Sequence, residues 1–171
     1  MTGLKLAALR GDLSLPGSEG WREVGWVDSL HLYPVKSMAG QSVETFTVGQ
    51  AGAEAGGVRD RQLMVVDTRG KMVTARRYPH MVLIRPTITT SHLTLSYPGV
   101  EDINLALPDL SGAVVRVSVW GEECGGVECG HGQPQVSSWL SSVILGRETS
   151  ELRLVCHQQE IVSSRPDKQD K

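Results

Sequence analysis

The sequence predicts a mostly β (α+β) fold, an antiparallel β-barrel with one amphipathic helix near the C-terminus. Apolar and polar residues alternate along short segments, which is the period of half-buried strands. These segments recur about every ten residues with turn residues between them, a spacing typical of sandwiches and barrels rather than of βαβ units. A single segment has apolar residues at the spacing of a helix face. The 171 residues suit one domain, or one domain with tails.

The first strands follow from the alternation that begins at residue 21. Residues 24–32 alternate in polarity and predict a half-buried strand, and Pro34 limits this strand to an edge or to its own end because proline donates no ladder hydrogen bond. Residues 42–48 are β-branched and alternating, and they predict a second strand. Residues 49–57 contain four glycines and three alanines and predict a loop.

A hairpin and a helix are the next elements. Residues 62–67 and 71–74 flank a Thr-Arg-Gly turn and predict a hairpin. Within residues 133–145, apolar side chains recur at i, i+3, i+4, i+7 and i+8 from Val136, which predicts an amphipathic helix that ends at Gly146. Further short strands are predicted at residues 81–84, 93–96, 103–107, 114–120 and 152–155.

The two ends differ in composition from the predicted domain, which covers residues 21–157. Residues 1–20 combine a few Lys, Arg and Leu residues with a Gly/Ser/Pro stretch, and they predict either a disordered leader or a weak targeting segment. Residues 158–171 form a polar tail with only Ile161 and Val162 to bury, so we expect this tail to be disordered.

Charge and motif content exclude several classes of function. The chain has 17 Lys+Arg and 19 Asp+Glu, a net charge of −2, which argues against broad nucleic-acid binding. It has no run of 18 apolar residues, so the sequence predicts no transmembrane helix. Three cysteines cannot form a complete disulfide framework, which favours an intracellular, reducing compartment. The sequence lacks a nucleophile elbow, a P-loop and a dinucleotide-binding glycine motif.

Two segments combine groups that suit an anion. Residues 33–37 (YPVKS) place Lys36 and Ser37 after a rigid proline, and Arg61 follows the glycine-rich segment as the last residue of Arg59-Asp60-Arg61. A lysine supplies a point charge, an arginine a planar fork and a serine a hydroxyl donor, which together suit a phosphate. The alternative is that these are ordinary solvated charges at strand ends. Residues 73–77 allow the same two interpretations: they form either a solvated basic turn or another strand end that faces an anion.

A third group contains thiols and imidazoles. Cys124, Cys129 and His131, with Cys156 and His157 downstream, could supply the ligands of a tetrahedral zinc ion. The spacing is loose, and adjacent residues on a strand point to opposite faces, so at most one of the downstream pair could join such a site. The alternative is a small buried thiol at Cys129 and a partly exposed thiol at Cys124.

In this order, the segments resemble the N-terminal β-barrel domain of MOSC proteins. The resemblance covers residues 21–157; closest are the mitochondrial amidoxime-reducing components, and the C-terminal region of molybdenum cofactor sulfurases is related. It rests on residues 33–37, Arg59-Asp60-Arg61, residues 67–76, Pro79 with Leu83-Ile84, Val119-Trp120-Gly121, Glu128-Cys129-Gly130, Trp139-Leu140 and residues 152–155.

The resemblance implies the N-terminal part of an oxidoreductase that depends on the molybdenum cofactor (molybdopterin) and reduces N-hydroxylated compounds such as amidoximes. Electrons would come from NADH through cytochrome b5 reductase and cytochrome b5. The cofactor would lie between this barrel and a following MOSC domain, with Lys36, Ser37 and Arg61 contacting its phosphate and pterin. Arg59 and Arg76 would be structural. The resemblance also implies a mitochondrial location; without it we expect a cytoplasmic one.

The resemblance assigns no catalytic residue and no metal ligand to this chain, because the molybdenum-ligating cysteine of MOSC proteins lies in the following domain. We therefore expect a truncated form that is inactive alone, with the missing MOSC domain supplied in cis or in trans. Three alternatives remain at this point. The chain could be a non-catalytic binding or interaction module, a sulfur-carrying domain like that of molybdenum cofactor sulfurase, or a small zinc-stabilised β protein.

Overall fold

The computed structural model describes residues 4–5, 25–50, 52–89, 92–106, 114–130 and 133–156. In this part of the chain the fold is mostly antiparallel strands with one α-helix, so the predicted fold class is confirmed. The strands are β1 (Leu4–Lys5), β2 (Leu30–Leu32), β3 (Gln41–Val43), β4 (Thr47–Gly49), β5 (Gly52–Ala55), β6 (Val58–Arg59), β7 (Leu63–Val66), β8 (Arg85–Ile88), β9 (His92–Tyr97), β10 (Val100–Ala106), β11 (Val114–Val119), β12 (Glu122–Cys129) and β13 (Arg153–Cys156). The helix α1 spans Pro134–Leu145.

The strands form four sheets. The sheet with the order β11-β12-β13-β7 contacts both apolar clusters and is called the central sheet. The others have the orders β1-β4-β5-β6, β10-β9-β8 and β2-β3. Residues 70–73 lie between the two outer strands of the central sheet: Met72 bridges Val66 of β7, and Lys71 bridges Ser118 of β11. Single-residue bridges therefore connect residues 70–73 to the two outer strands of the central sheet. In the described part of the chain, no continuous ladder of strand pairs closes the sheets into a barrel.

The two faces of the central sheet enter different apolar clusters. Because successive strand residues point to opposite faces, Leu63 and Val65 lie on one side of β7 while Met64 and Val66 lie on the other. The helix-side core joins the first face to α1 and to the sheet β10-β9-β8, through Val35, Leu63, Val65, Leu93, Leu95, Leu105, Leu140, Ile144 and Leu154. The opposite-face cluster is smaller and contains Met64, Val66, Val117 and Val155, with Met72, Val115, Val119 and Cys124 packed against them.

The predicted helix is confirmed, and its ends follow the expected rules. Pro134 is its first residue, where a missing backbone N–H is tolerated, and Gly146 ends it in the left-handed conformation with φ of 65°. Leu140 and Ile144 are fully buried in the helix-side core, and burial of each such side chain contributes about 1.5–3 kcal/mol. Trp139 lies at the edge of this core and its indole N–H donates to the Glu101 carbonyl oxygen at 2.7 Å.

Several predicted elements differ in the structure. The predicted loop at residues 49–57 is wrong, because Gly52–Ala55 form strand β5 and the Gly56-Gly57 pair makes a two-residue hairpin turn with positive φ at both positions. The predicted strand at residues 81–84 is also wrong. A short 3₁₀ helix spans Pro79–Leu83, because the fixed φ of Pro79 suits a helical first turn.

Other boundaries shift by a few residues. The predicted first strand is only β2, and residues 25–29 are not part of a sheet. The predicted second strand divides into β3 and β4, and residues 71–74 form bridges rather than a strand. The sequence does not predict strands β8 and β12. Pro86 in β8 and the consecutive glycines 125–126 in β12 interrupt the alternation of apolar and polar residues that identifies a strand.

Little of the predicted leader and none of the predicted tail can be compared with the structure. Within residues 1–20 the structure describes Leu4–Lys5, which pair with Thr47 and Val48; the rest of that segment and residues 158–171 lie outside the described residues.

Among the described helices, none is long and apolar enough to span a membrane.

Candidate functional site

Lys36 and Ser37 are the central residues of a tight turn that follows strand β2. The Met38 N–H donates to the Val35 carbonyl oxygen at 3.2 Å and closes the turn. Ser37 has φ of 70°, the left-handed conformation that a type II turn needs at its third residue. Val35 is fully buried in the helix-side core and anchors the turn to it.

Arg61 occupies the same position in a second turn, which leads from strand β6 to strand β7. The Gln62 N–H donates to the Arg59 carbonyl oxygen at 3.2 Å, and the Gln62 amide oxygen accepts from the Arg59 N–H at 3.0 Å. Arg61 has φ of 54°. Glycine or asparagine is the usual occupant of this position, because a longer side chain there costs about 1–2 kcal/mol.

Backbone hydrogen bonds hold the two turns side by side. The Arg61 N–H donates to the Tyr33 carbonyl oxygen at 2.6 Å, the Leu63 N–H to Pro34 at 3.0 Å and the Lys36 N–H to Leu63 at 2.8 Å. Val35 and Leu63 form a parallel bridge between the same segments. The structure thus brings together, through the main chain, two segments that the sequence separates by more than twenty residues.

The Arg61 guanidinium is oriented by an acid and an aromatic ring. It forms an ion pair with the Asp60 carboxylate, and its central carbon lies 5.3 Å from the centroid of the Tyr33 ring. Asp60 also accepts the Tyr33 N–H at 2.8 Å, so the carboxylate ties the two turns to each other. A Cβ at Gly40 would approach the Tyr33 ring to 2.9 Å, which shows that the ring packs closely against this glycine.

The Lys36 side chain is half-buried, whereas the preceding residue, Val35, is fully buried in the helix-side core. Lys36 forms no ion pair with the described residues, and its ammonium lies within electrostatic range of the Cys124 thiol on strand β12. Burial raises the pKa of the Cys124 thiol, and the positive charge of Lys36 lowers it to a smaller extent. Lys36 is therefore a partly buried cation with no carboxylate partner in the described part of the chain.

The two other arginines considered from the sequence have local partners. Arg59 lies opposite Glu54 in the register of strands β5 and β6, and its charge acts on the Cys156 thiol. Arg76 lies over the Trp120 ring, with its guanidinium carbon 4.6 Å from the ring centroid.

The predicted thiol and imidazole group does not assemble as a metal site in the described part of the chain. Cys124 packs in the opposite-face cluster, whereas Cys129 and Cys156 belong to the helix-side core. The residues that the structure describes contain no group of three or more potential metal ligands, and His131 and His157 lie outside them. A hydrogen bond from Cys129 is the main cause that lowers the pKa of Cys156 to about 7, with smaller contributions from Gln62 and Arg59.

Sequence reasoning missed the residues that support Arg61. Tyr33 and Gly40 were not expected to act together, because nothing in the local pattern shows that the ring of one rests on the backbone of the other. The Asp60 carboxylate, which forms the ion pair with Arg61, belongs to the neighbouring residue in the sequence. A Gly-free turn with a basic residue at its third position is the signal that could have singled out Arg61.

Fold and site together define a class of protein domain: an antiparallel β-barrel domain that presents a lysine, a serine and an arginine on two adjacent turns. The family model of the MOSC N-terminal beta barrel domain matches residues 24–147. The chain therefore belongs to the family of proteins with a MOSC N-terminal beta barrel domain.

Curated relatives agree with this assignment. The chain is 32% identical over 152 residues to mitochondrial amidoxime-reducing component 1 of Xenopus laevis, covering 88% of this chain and 43% of the relative. It is 36% identical to mitochondrial amidoxime reducing component 2 of Rattus norvegicus, covering 78% and 38%. Molybdenum cofactor sulfurase 1 of Aedes aegypti is 33% identical, covering 77% and 17%. The chain thus spans less than half the length of these relatives.

Proposed function

We propose that this chain is the N-terminal part of a molybdenum-cofactor oxidoreductase and that it contributes Lys36, Ser37 and Arg61 to the phosphate and pterin of that cofactor. The observation that carries the proposal is the pair of adjacent turns, in which Ser37 and Arg61 both adopt the left-handed conformation. Strained backbone of this kind persists where the surrounding structure holds it, and it concentrates at binding and catalytic sites.

The residues of the two turns have the chemistry that a phosphate requires. Lys36 offers an ammonium that no described carboxylate neutralises, and Ser37 offers a hydroxyl donor. The Arg61 guanidinium is held by Asp60 and by the Tyr33 ring, and a guanidinium has donors left over after one such ion pair. Charge-assisted hydrogen bonds are stronger than neutral ones, so three such donors suit a dianionic group.

When bound, the molybdenum cofactor supplies the redox chemistry by which the proposed enzyme reduces N-hydroxylated compounds such as amidoximes. This chain would hold the phosphate end, and the molybdenum ligand would come from a MOSC domain in cis or in trans. Cytochrome b5 and cytochrome b5 reductase would deliver electrons from NADH, and the location would be mitochondrial. The names of the curated relatives support this assignment of cofactor and reaction.

A cofactor-binding experiment tests the proposal. The full chain is mixed under anaerobic, reducing conditions with cofactor released from a denatured molybdenum enzyme, and the bound pterin is measured by fluorescence after gel filtration and oxidation. We expect Lys36→Ala and Arg61→Gly each to lower the retained pterin, because each removes one charge-assisted contact of about 1.5–3 kcal/mol. Glycine at 61 keeps the left-handed φ accessible, so the fold is preserved.

Arg69→Ala is the matched control, since Arg69 is an exposed cation on the turn before Gly70 and belongs to neither of the two turns. Equal loss of pterin from this control and from the two variants would show that only overall charge matters, and the assignment of the site would be wrong. A chain that retains no pterin above an unrelated protein would also contradict the proposal.

A further inference from the structure

A second, separate site is formed by a cleft of about 590 Å³ between three segments. Its walls are residues 67–78, the tip of the hairpin between β11 and β12, and the segment that joins α1 to β13. Lys36, Ser37 and Arg61 do not line this cleft. Its volume lies within the range of cavities that hold small molecules in proteins.

Trp120 gives the cleft an aromatic wall. It is the first residue of the two-residue turn Trp120-Gly121, where both residues have positive φ (56° and 88°). This turn type favours Asn or Gly at the first position, and a large side chain there is strained. Trp120 is 65% exposed, so burial within the described chain does not offset the strain, while the Arg76 guanidinium lies over the ring.

Cations outnumber acids among the residues that line the cleft. Lys71, Arg77 and Arg147 line the cleft, and none of them forms an ion pair with a carboxylate in the part of the chain that the structure describes. Two acids, Asp67 and Glu151, also line the cleft, against three cations, and the Asp67 carboxylate accepts the backbone N–H groups of Arg69 and Lys71, both at 2.9 Å. The cleft therefore keeps an excess of positive charge beside an exposed aromatic ring.

We propose that this cleft binds a small planar aromatic molecule that carries an anionic group. The planar part stacks on the Trp120 ring, as aromatic molecules do on exposed tryptophans that an arginine also contacts. The anionic group lies among Lys71, Arg77 and Arg147. The proposal does not depend on the cofactor site, since the two sites share no residue.

Binding of adenosine 5′-monophosphate to the full chain tests the proposal, because this probe combines a planar base with a phosphate. The binding is followed by NMR shifts of the Trp120 indole N–H and of the backbone amides of residues 118–121. We expect saturable shifts, with Trp120→Gly raising the Kd at least about tenfold through loss of stacking. Lys71→Ala should raise it about threefold through loss of one exposed charge.

Two controls make the result decisive. Trp120→Gly keeps the turn conformation and relieves its strain, so folding is retained, and Arg69→Ala removes a nearby cation that does not line the cleft and should leave the Kd unchanged. Adenosine and inorganic phosphate, each lacking one half of the probe, should bind at least about tenfold more weakly. The proposal fails if the shifts do not saturate, if they persist in Trp120→Gly, or if phosphate alone binds as tightly.

Discussion

Ser37, Arg61 and Trp120 are the three non-glycine residues with positive φ in the described part of the chain. Two of them belong to the adjacent turns of the proposed cofactor site, and the third forms the aromatic wall of the cleft. Left-handed backbone costs about 1–2 kcal/mol for a residue with a Cβ, so each residue is retained at the expense of stability. The three residues with a strained backbone are therefore also residues of the two proposed binding sites.

This coincidence predicts an opposite effect of one substitution on stability and on binding. Ser37→Gly should raise the free energy of unfolding by about 0.5–1 kcal/mol, because glycine adopts φ of 70° without a steric cost. The same change should lower retention of the molybdenum cofactor, because the hydroxyl donor is lost. Urea denaturation and the pterin assay measure the two effects.

Ser42→Gly is the matched control for this change. Ser42 is an exposed residue of strand β3 with a φ outside the left-handed region, so glycine there should lower stability and leave cofactor retention unchanged. If Ser37→Gly destabilises the protein as much as Ser42→Gly does, the backbone of the first turn is not strained.

Among the elements, the turn that joins β7 to residues 70–73 places those residues between β7 and β11, the two outer strands of the central sheet. Asp67 caps this turn by accepting two backbone N–H groups, and Gly70 allows the chain to pass close to strand β11 with φ of 75°. The Ser118 N–H donates to the Gly70 carbonyl oxygen at 2.9 Å. A Cβ at Gly70 would clash with the Arg116 carbonyl oxygen, which belongs to that neighbouring strand.

Gly70→Ala should therefore lower the free energy of unfolding by about 2–4 kcal/mol, the sum of a backbone cost and a steric cost. Gly99→Ala separates the two contributions, because Gly99 has nearly the same φ, 77°, and open space around its Cβ direction. Its expected loss is about 1–2 kcal/mol. Chemical denaturation of both variants gives the difference, and equal losses would mean that β11 does not pass close to Gly70.

At the scale of the whole molecule, the two faces of the central sheet separate the three thiols into different environments. Cys124 lies on the face of the opposite-face cluster, where burial raises its pKa. Cys156 lies in the helix-side core, where Cys129, Gln62 and Arg59 lower its pKa to about 7. The stability of the protein is thereby linked to pH through Cys156 above neutrality.

The folded state favours the Cys156 thiolate, so its contribution is fully present above the ordinary pKa of 9.0 and is lost as the pH falls through about 7. Under reducing conditions the free energy of unfolding should therefore rise between pH 7 and pH 9, by an amount on the order of 2 kcal/mol. Cys156→Ala should remove this rise. Cys124→Ala is the control that should keep it, and a profile that falls between pH 7 and pH 9 would contradict the assignment.

Local periodicity and turn residues were enough to predict most of the strands and the helix. Alternation predicted strands β9, β10, β11 and β13, the Thr-Arg-Gly turn predicted β7, and the i, i+3, i+4 pattern predicted α1. Motif order identified the family. Strands β5 and β12 were not predicted, because glycine is neither clearly apolar nor clearly polar and so interrupts an alternating pattern.

Contacts between residues that are distant in the sequence became visible only in the folded chain. The turn of Lys36 and Ser37 lies beside the turn of Arg61, and the Arg61 guanidinium lies over the Tyr33 ring. Cys124 and Cys129 belong to apolar clusters on opposite faces of the central sheet. The folded chain also places Trp120 beside the cations of the cleft. The physical reason is that local periodicity reports which face a residue occupies, whereas contacts between distant segments depend on strand pairing and on the closure of the loops between them.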